Sequence, residues 1–229
     1  MIPIVASARE LAGDLARETD PAAGRPLLFC PALDGHAPEV AEYLALLPVQ
    51  DSNGRLLAAL AGLPEGALEH ACVGVLAVDP FRPPARFLSA LRRAGVRSVA
   101  NFPTACLFDG ETGETLERLG FGLDREAAFL ERAVAAGFTA TGFATDAAAG
   151  RRLRAAGAER VVLHPGPATG EAARDAGAAE AASAAVAALK AEGGGRVLAY
   201  LPAGFGPHRA VLARHADGIL AIAGYSDSP

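Results

Sequence analysis

The 229-residue chain has no tryptophan, one methionine and only 6% aromatic residues, so its core must be built chiefly from aliphatic side chains and alanine. Its three cysteines, Cys30, Cys72 and Cys106, are an odd number at wide spacing with no CxxC. That excludes a disulfide framework and a cysteine zinc site, and leaves buried apolar thiols. Of 21 basic residues one, Lys190, is a lysine, and it lies in an alanine-rich run near an expected helix end, facing solvent. A Schiff-base lysine, and with it PLP, is not expected, because a lysine imine needs a desolvated amine inside a site. There is no apolar run of 18 residues, and MIPIVASARELAGDLARE carries acids and lacks a basic n-region. Neither a membrane span nor a signal peptide is expected, and the chain reads as cytoplasmic. A formal charge of -5 without a basic run argues against nucleic acid and anionic membrane as partners. GxGxxG, GKS/T, HExxH and GxSxG are all missing, so no nucleotide, zincin or serine-hydrolase site is signalled.

Eight short apolar runs alternate with helical patterns. The runs are 26–30, 43–49, 71–78, 96–100, 138–144, 160–164, 196–202 and 218–224, and the patterns between them have 3.6-residue periodicity and often end at glycine. Continuous apolar strands joined by helices imply a parallel sheet covered on both faces. Eight βα units in this length match a (β/α)8 TIM barrel occupying 1–229 as one domain, with 43–49 paired between 26–30 and 71–78. A doubly wound open sheet is the alternative. The repeated AGV, AGF, AGA and ADG before four of the runs mark one recurring helix-to-strand joint.

In such a barrel, function is sought at each strand's exit. The exits carry Asp34 and His36; Gln50, Asp51 and Asn53; Asp79 and Arg82; Asn101 and Thr104; Thr145 and Asp146; His164; His208; and Tyr225 and Ser226. Asp146 reads most simply as a helix N-cap, and Asp51 and Asp34 could equally be turn residues. In VDPFR (78–82) the proline fixes the backbone at Asp79 and aims its carboxylate off the strand end, toward a metal, a substrate hydroxyl or Arg82. Asp109, in a DG turn, is a second candidate carboxylate. His164 precedes PGPATG, whose backbone NH groups at Gly166, Thr169 and Gly170 could hold a carboxylate or phosphate. His70 and His215 read as structural or solvated. Asp79, Asn101 and His164 are expected to face one cavity.

The segments VDPFR, VANFPTACLFDG, LERLGFGLDREAAFL and AGAERVVLHPG resemble the core motifs of the phosphoenolpyruvate hydrolase-like TIM-barrel family. Asp79, Pro80, Phe81, Asn101, Phe102, Pro103, Thr104, Asp109, Gly110, Leu116, Glu117, Gly120, Gly122, Glu126, His164 and Gly166 stand at the motif positions. LLPVQDSN (46–53) resembles the family's leucine-rich stretch. The family's loops after strands 1, 2 and 7 are replaced here by CPALDGH, a shortened segment and PAGFGPH, and Cys106 stands where a glycine is usual. The resemblance implies a phosphoenolpyruvate/pyruvate-type barrel. Such a protein would be a lyase or hydrolase acting on a small 2-oxo acid or similar carboxylate through a stabilised enolate or oxyanion.

On that basis His164 is the expected acid/base, Asn101 and Thr104 hydrogen-bond the oxyanion, and Arg82 clamps a carboxylate, with Gly166, Asp51 and Asn53 beside it. Asp79 and Asp109 would supply oxygen ligands suited to magnesium. A homo-oligomer is expected. The alternatives are a non-catalytic barrel that binds a metabolite or protein, and covalent catalysis by Cys106.

Overall fold

The computed structural model describes residues 2–5, 27–64, 67–68 and 71–222. Its strands are β1 (Ile2–Val5), β2 (Leu27–Phe29), β3 (Ala71–Gly74), β4 (Ser98–Ala100), β5 (Thr139–Ala144), β6 (Arg160–Leu163), β7 (Arg196–Leu201) and β8 (Ile219–Ile222). Each pairs in parallel with the next, and β8 pairs with β1, so the sheet closes on itself as a barrel. The open doubly wound alternative is thereby set aside. Residues 6–26 and 223–229 lie outside the described residues, so the β/α alternation is described from β2 to β8 only, and His70, Tyr225 and Ser226 are not placed.

The helices are α1 (Ala41–Leu46), α2 (Ser52–Ala61), α3 (Pro84–Arg93), α4 (Gly110–Arg118), α5 (Leu123–Ala135), α6 (Ala147–Ala155), α7 (Ala172–Ala191) and α8 (Arg209–Ala213). Asp146 caps α6, accepting from Ala149 N at 2.8 Å, as its position predicts.

Burial explains why the strands read as continuous apolar runs. Along β2, β6, β7 and β8 alternate residues belong to two separate cores. Leu28, Val162, Leu198, Tyr200 and Leu220 fill the barrel interior, and their neighbours Leu27, Val161, Val197, Ala199 and Ile219 pack under the helices. Both faces are buried, so no polar alternation survives in the sequence. Phe102, Phe143 and Tyr200 pack together in the interior, with ring centroids 4.6 to 6.2 Å apart.

The segment 43–49 is not a strand. It lies in and just after α1, and the remaining strand position is filled by Ile2–Val5, which the apolar-run reading did not include. The run is apolar because Ala45 packs into the barrel interior while Leu46, Leu47 and Val49 line an open apolar groove on the other side. Ala41 and Ala45, one turn apart, join the interior core, while Leu46 borders a groove outside it. The helix therefore closes the C-terminal mouth of the barrel.

At the end of β3 the barrel wall is tight against this interior. A Cβ on Gly74 would sit 2.7 Å from the Phe102 carbonyl oxygen and 3.1 Å from the Cys30 side chain. Gly74→Ala should lower the unfolding free energy by about 1–3 kcal/mol, read from the urea midpoint at unchanged slope. Gly177→Ala, on α7 with nothing within 4 Å of the added carbon, should instead raise it by up to about 1 kcal/mol.

Candidate functional site

Four acidic side chains with little exposure surround the C-terminal mouth, each with its own donors. Glu42 projects from α1 into the interior. Its Oε2 lies 3.0 Å from His164 Nε2, and Tyr200 OH donates to its Oε1 at 2.7 Å. Gly166 N donates to His164 Nδ1 at 2.9 Å. With Nδ1 accepting, the proton of the neutral imidazole is assigned to Nε2, which donates to Glu42. All three side chains are buried, His164 to 1% exposure and Glu42 to 6%. Burial, then the neighbouring Glu42 charge, pushes the Tyr200 phenol well above its ordinary pKa, so it stays an O–H donor. The space left beside His164 and Glu42 is about 20 Å³, room for about one water.

Glu126 of α5 is fully buried beneath the 101–108 segment. Its Oε2 accepts from Asn101 Nδ2 and Thr104 Oγ1, both at 2.7 Å, and its Oε1 from Ala105 N at 2.8 Å. Loss of hydration outweighs these donors and raises the carboxyl pKa to about 7. Asn101 also stitches β4 to β5, donating to Phe143 O at 3.0 Å and accepting from Phe143 N at 2.7 Å. Asn101 and Thr104 are therefore fully engaged and have no exposure.

Asp79 follows β3. Its Oδ1 accepts from Phe81 N at 2.8 Å, and its Oδ2 from Asn53 Nδ2 at 2.9 Å and Arg82 at 3.2 Å. Arg82 also pairs with Asp51, the N-cap of α2, and this guanidinium holds the Asp51 carboxyl below its ordinary pKa. Asn53 closes the clasp by exchanging two further hydrogen bonds with Leu76, each 3.0 Å long. Asp175 of α7 is the fourth acid. It accepts from Thr169 N and Oγ1, both at 2.8 Å, and from Gly170 N at 3.2 Å. The PGPATG loop thus does cradle a carboxylate, but the carboxylate belongs to the chain itself.

The sequence-derived candidates consequently fall into three groups, two that border different spaces and one that borders neither. Asp51, Asp79 and Arg82 line a groove of about 830 Å³, whose walls include Leu47, Val49, Phe81, Phe108, Leu116 and Phe121. Phe81 is 81% and Val49 65% exposed there. His164 borders the small cavity with Glu42, and Asn101 and Thr104 border neither. Asp79, Asn101 and His164 are not joined in one cavity in this arrangement. Gln50 is tied to His36, Arg55 and the Ala32 carbonyl. Asp109 is exposed at the start of α4.

Both Asp79 oxygens accept hydrogen bonds, and among the described residues no group of three or more His, Cys, Asp or Glu side chains is placed to hold a metal ion, so a magnesium ion at Asp79 would take most of its oxygen ligands from water or substrate. Burial, reinforced by the Glu126 charge, pushes the Cys106 thiol up to about 12, which leaves it a thiol at neutral pH. Among the described residues no helix is long and apolar enough to cross a membrane.

Glu42 and Tyr200 were absent from the sequence-derived candidates, and Glu126 entered only as a motif position. Glu42 lies just before the apolar run 43–49 that reads as a strand, and Tyr200 sits inside the run 196–202. The one available signal was a charged residue within the 41, 42, 45 helical face.

Fold and site together define a closed parallel α/β barrel with hydrogen-bonded acids packed around its C-terminal mouth. Residues 39–192 match the profile of the phosphoenolpyruvate hydrolase-like family, and the chain belongs to that family. It is 38% identical over 140 residues to the uncharacterized protein y4oT of Sinorhizobium fredii, covering 60% of this chain and 66% of that one. It is 36% identical over 122 residues to the ToMV resistance protein Tm-1(GCR237) of Solanum lycopersicum, covering 53% of this chain but 16% of the tomato protein. Among solved structures, a candidate phosphonomutase from Burkholderia cenocepacia J2315 superposes with a TM-score of 0.53 at 16% identity. The match covers 96% of this chain and 86% of that one, a likeness of fold.

Glu126 gives stability a definite pH dependence. Its carboxyl lies near 4.5 when unfolded and about 7 when folded, so folding takes up a proton between those values. The stabilisation is complete below pH 4.5 and is lost as pH rises through 7, by an amount on the order of 3 kcal/mol. Urea unfolding of wild type and Glu126→Gln at pH 5, 6, 7 and 8 should show the wild-type advantage shrinking with pH. A difference that stays constant would mean that Glu126 is ionised throughout.

Proposed function

We propose that the chain is a lyase or hydrolase on a complete (β/α)8 barrel of the phosphoenolpyruvate and pyruvate type. It acts on a small 2-oxo acid or phosphoenolpyruvate-like carboxylate. One observation carries this reading: two buried donors, His164 Nε2–H and Tyr200 O–H, converge on a single carboxylate at the mouth where barrel catalysis is expected. In the closed arrangement that carboxylate is Glu42. A substrate carboxylate or developing enolate oxygen in its place meets the same two donors, already desolvated and aimed.

His164 then donates a hydrogen bond from its neutral Nε2–H to the developing oxygen, stabilising the negative charge there, while the Gly166 N–H on Nδ1 keeps the ring oriented. Tyr200 holds the second oxygen of the same substrate group, as it holds Oε1 of Glu42 while His164 holds Oε2. Asn101 and Thr104 act as positioning residues through Glu126, and Asn53, Asp79, Arg82 and Asp51 brace the adjoining rim. Substrate entry requires α1 to withdraw from the mouth. Family membership and the phosphonomutase-like fold support the reading.

A second reading, a non-catalytic binding barrel, is favoured by the same plug and by the 830 Å³ groove with its exposed Phe81 and Val49. Turnover separates the two. Small 2-oxo acids, phosphoenolpyruvate and β-keto acids are screened with wild type, His164→Ala and Tyr200→Phe, with and without magnesium. The catalytic reading expects kcat to fall about 10²- to 10⁴-fold in His164→Ala, and roughly 10²-fold in Tyr200→Phe, with circular dichroism unchanged. No turnover, together with equal metabolite binding by all three proteins, would leave the binding barrel.

A further inference from the structure

The opposite, N-terminal mouth of the barrel holds a separate cavity of about 270 Å³. Phe143, Val162 and Leu198 face the interior, so Thr141, Arg160 and Arg196, each two residues earlier on β5, β6 and β7, point the same way. The register places Thr141 beside Arg160 and Arg160 beside Arg196, on strands roughly 4.8 Å apart. All three line the cavity, together with Cys72. Thr141 is 5% exposed, and its hydroxyl, like that of Ser98, has only the Cys72 thiol as a polar side-chain neighbour and makes no well-formed hydrogen bond.

Among the described residues neither arginine belongs to an ion pair. Arg196 hydrogen-bonds the Asp217 carbonyl at 3.5 Å; its charge is felt by the Asp217 carboxylate, but that carboxylate is hydrogen-bonded by Lys190 and the Val197 N–H. Arg160 is half-buried and Arg196 exposed at the rim of the cavity; side by side on adjacent strands their guanidiniums repel each other, and a buried hydroxyl without a partner is unfavourable. An anion between them resolves both.

We propose that this N-terminal mouth binds a phosphate-type oxyanion, inorganic phosphate or a phosphate monoester, held by Arg160 and Arg196 with the Thr141 hydroxyl as a third donor. Two neighbouring cations match a dianion better than a monocarboxylate, and guanidinium forks match its oxygens. The cavity has room beyond one ion for the ester group. The site is independent of the chemistry proposed at the C-terminal mouth, where the Glu42, Asp79, Glu126 and Asp175 carboxylates are gathered.

The test is isothermal titration of the whole chain in chloride buffer of matched ionic strength. Inorganic phosphate, glycerol phosphate and acetate form separate arms. Saturable binding of either phosphate, with acetate weaker, is expected. Arg160→Gln and Arg196→Gln should each weaken it by about tenfold or more, and Thr141→Val should weaken it several-fold. Arg160→Gln relieves the repulsion, so in phosphate-free buffer its Tm should lie above wild type, and the rise that phosphate gives wild type should disappear. No saturable heat with either phosphate overturns the site. So does equal affinity in both arginine variants, or acetate binding as tightly as phosphate. A stabilisation by phosphate that survives Arg160→Gln unchanged is general salt exclusion and overturns it as well.

Discussion

A carboxylate taken out of water must be supplied with hydrogen-bond donors, and the C-terminal half of this barrel is organised around that requirement. Glu42 takes donors from His164 and Tyr200, Glu126 from Asn101, Thr104 and Ala105 N, and Asp79 from Phe81 N, Asn53 and Arg82. Asp175 takes them from Thr169 and Gly170. Each acid fixes one loop: Glu126 the 101–108 segment, Asp79 the turn after β3, Asp175 the glycine-rich turn before α7. Removing a donor from such a pair leaves a buried charge short of solvation, which is worse than removing the pair together. Asn101 is doubly constrained, because the same amide completes the backbone pairing of β5.

Glu42 differs from the other three in what carries it. Glu126 and Asp175 lie on helices of 13 and 20 residues, while α1 has six and no side-chain N-cap. So short a helix has little stability of its own and depends on its packing. What holds it is Ala41 and Ala45 in the barrel interior, the Ser52 hydroxyl on the Ala45 carbonyl at 2.6 Å, and the two bonds to Glu42. Leu46, one turn after Glu42, borders the apolar groove. The element closing the mouth is therefore also a wall of the neighbouring groove, and displacement at either side moves the same helix.

Seven of the eight strands were legible because burial on both faces leaves an uninterrupted apolar run. The error at 43–49 came from the same signal, since a short helix that packs one side on the core and turns the other to an apolar groove is apolar throughout, and a run of seven residues has no measurable period. Ile2–Val5 escaped because four residues before a polar stretch carry too little pattern. Among site residues, His164, Asp79, Asn101 and Thr104 were visible as polar groups ending apolar runs. Their grouping was not, because sequence shows the donor at a strand exit but not the acid that needs it. Glu42 and Tyr200 are separated by 158 residues, and only barrel closure brings them into contact.

The two arginines at the other mouth were hidden by their position. At the first residue of a strand, Arg160 and Arg196 read as solvent-facing ends of the preceding turns, and inward orientation emerges only when the parity of Val162 and Leu198 is known. Between the two ends the interior is apolar, built from Phe102, Phe143, Leu28 and Leu220. That apolar layer separates a mouth whose buried side chains are acids and their donors from one whose inward charges are cations. The acids are balanced by donors from the chain. Arg160 is half-buried and Arg196 exposed, and the charge of Arg196 is felt by the Asp217 carboxylate, so the cationic mouth is open to solvent and to mobile counter-ions in a way the acidic mouth is not.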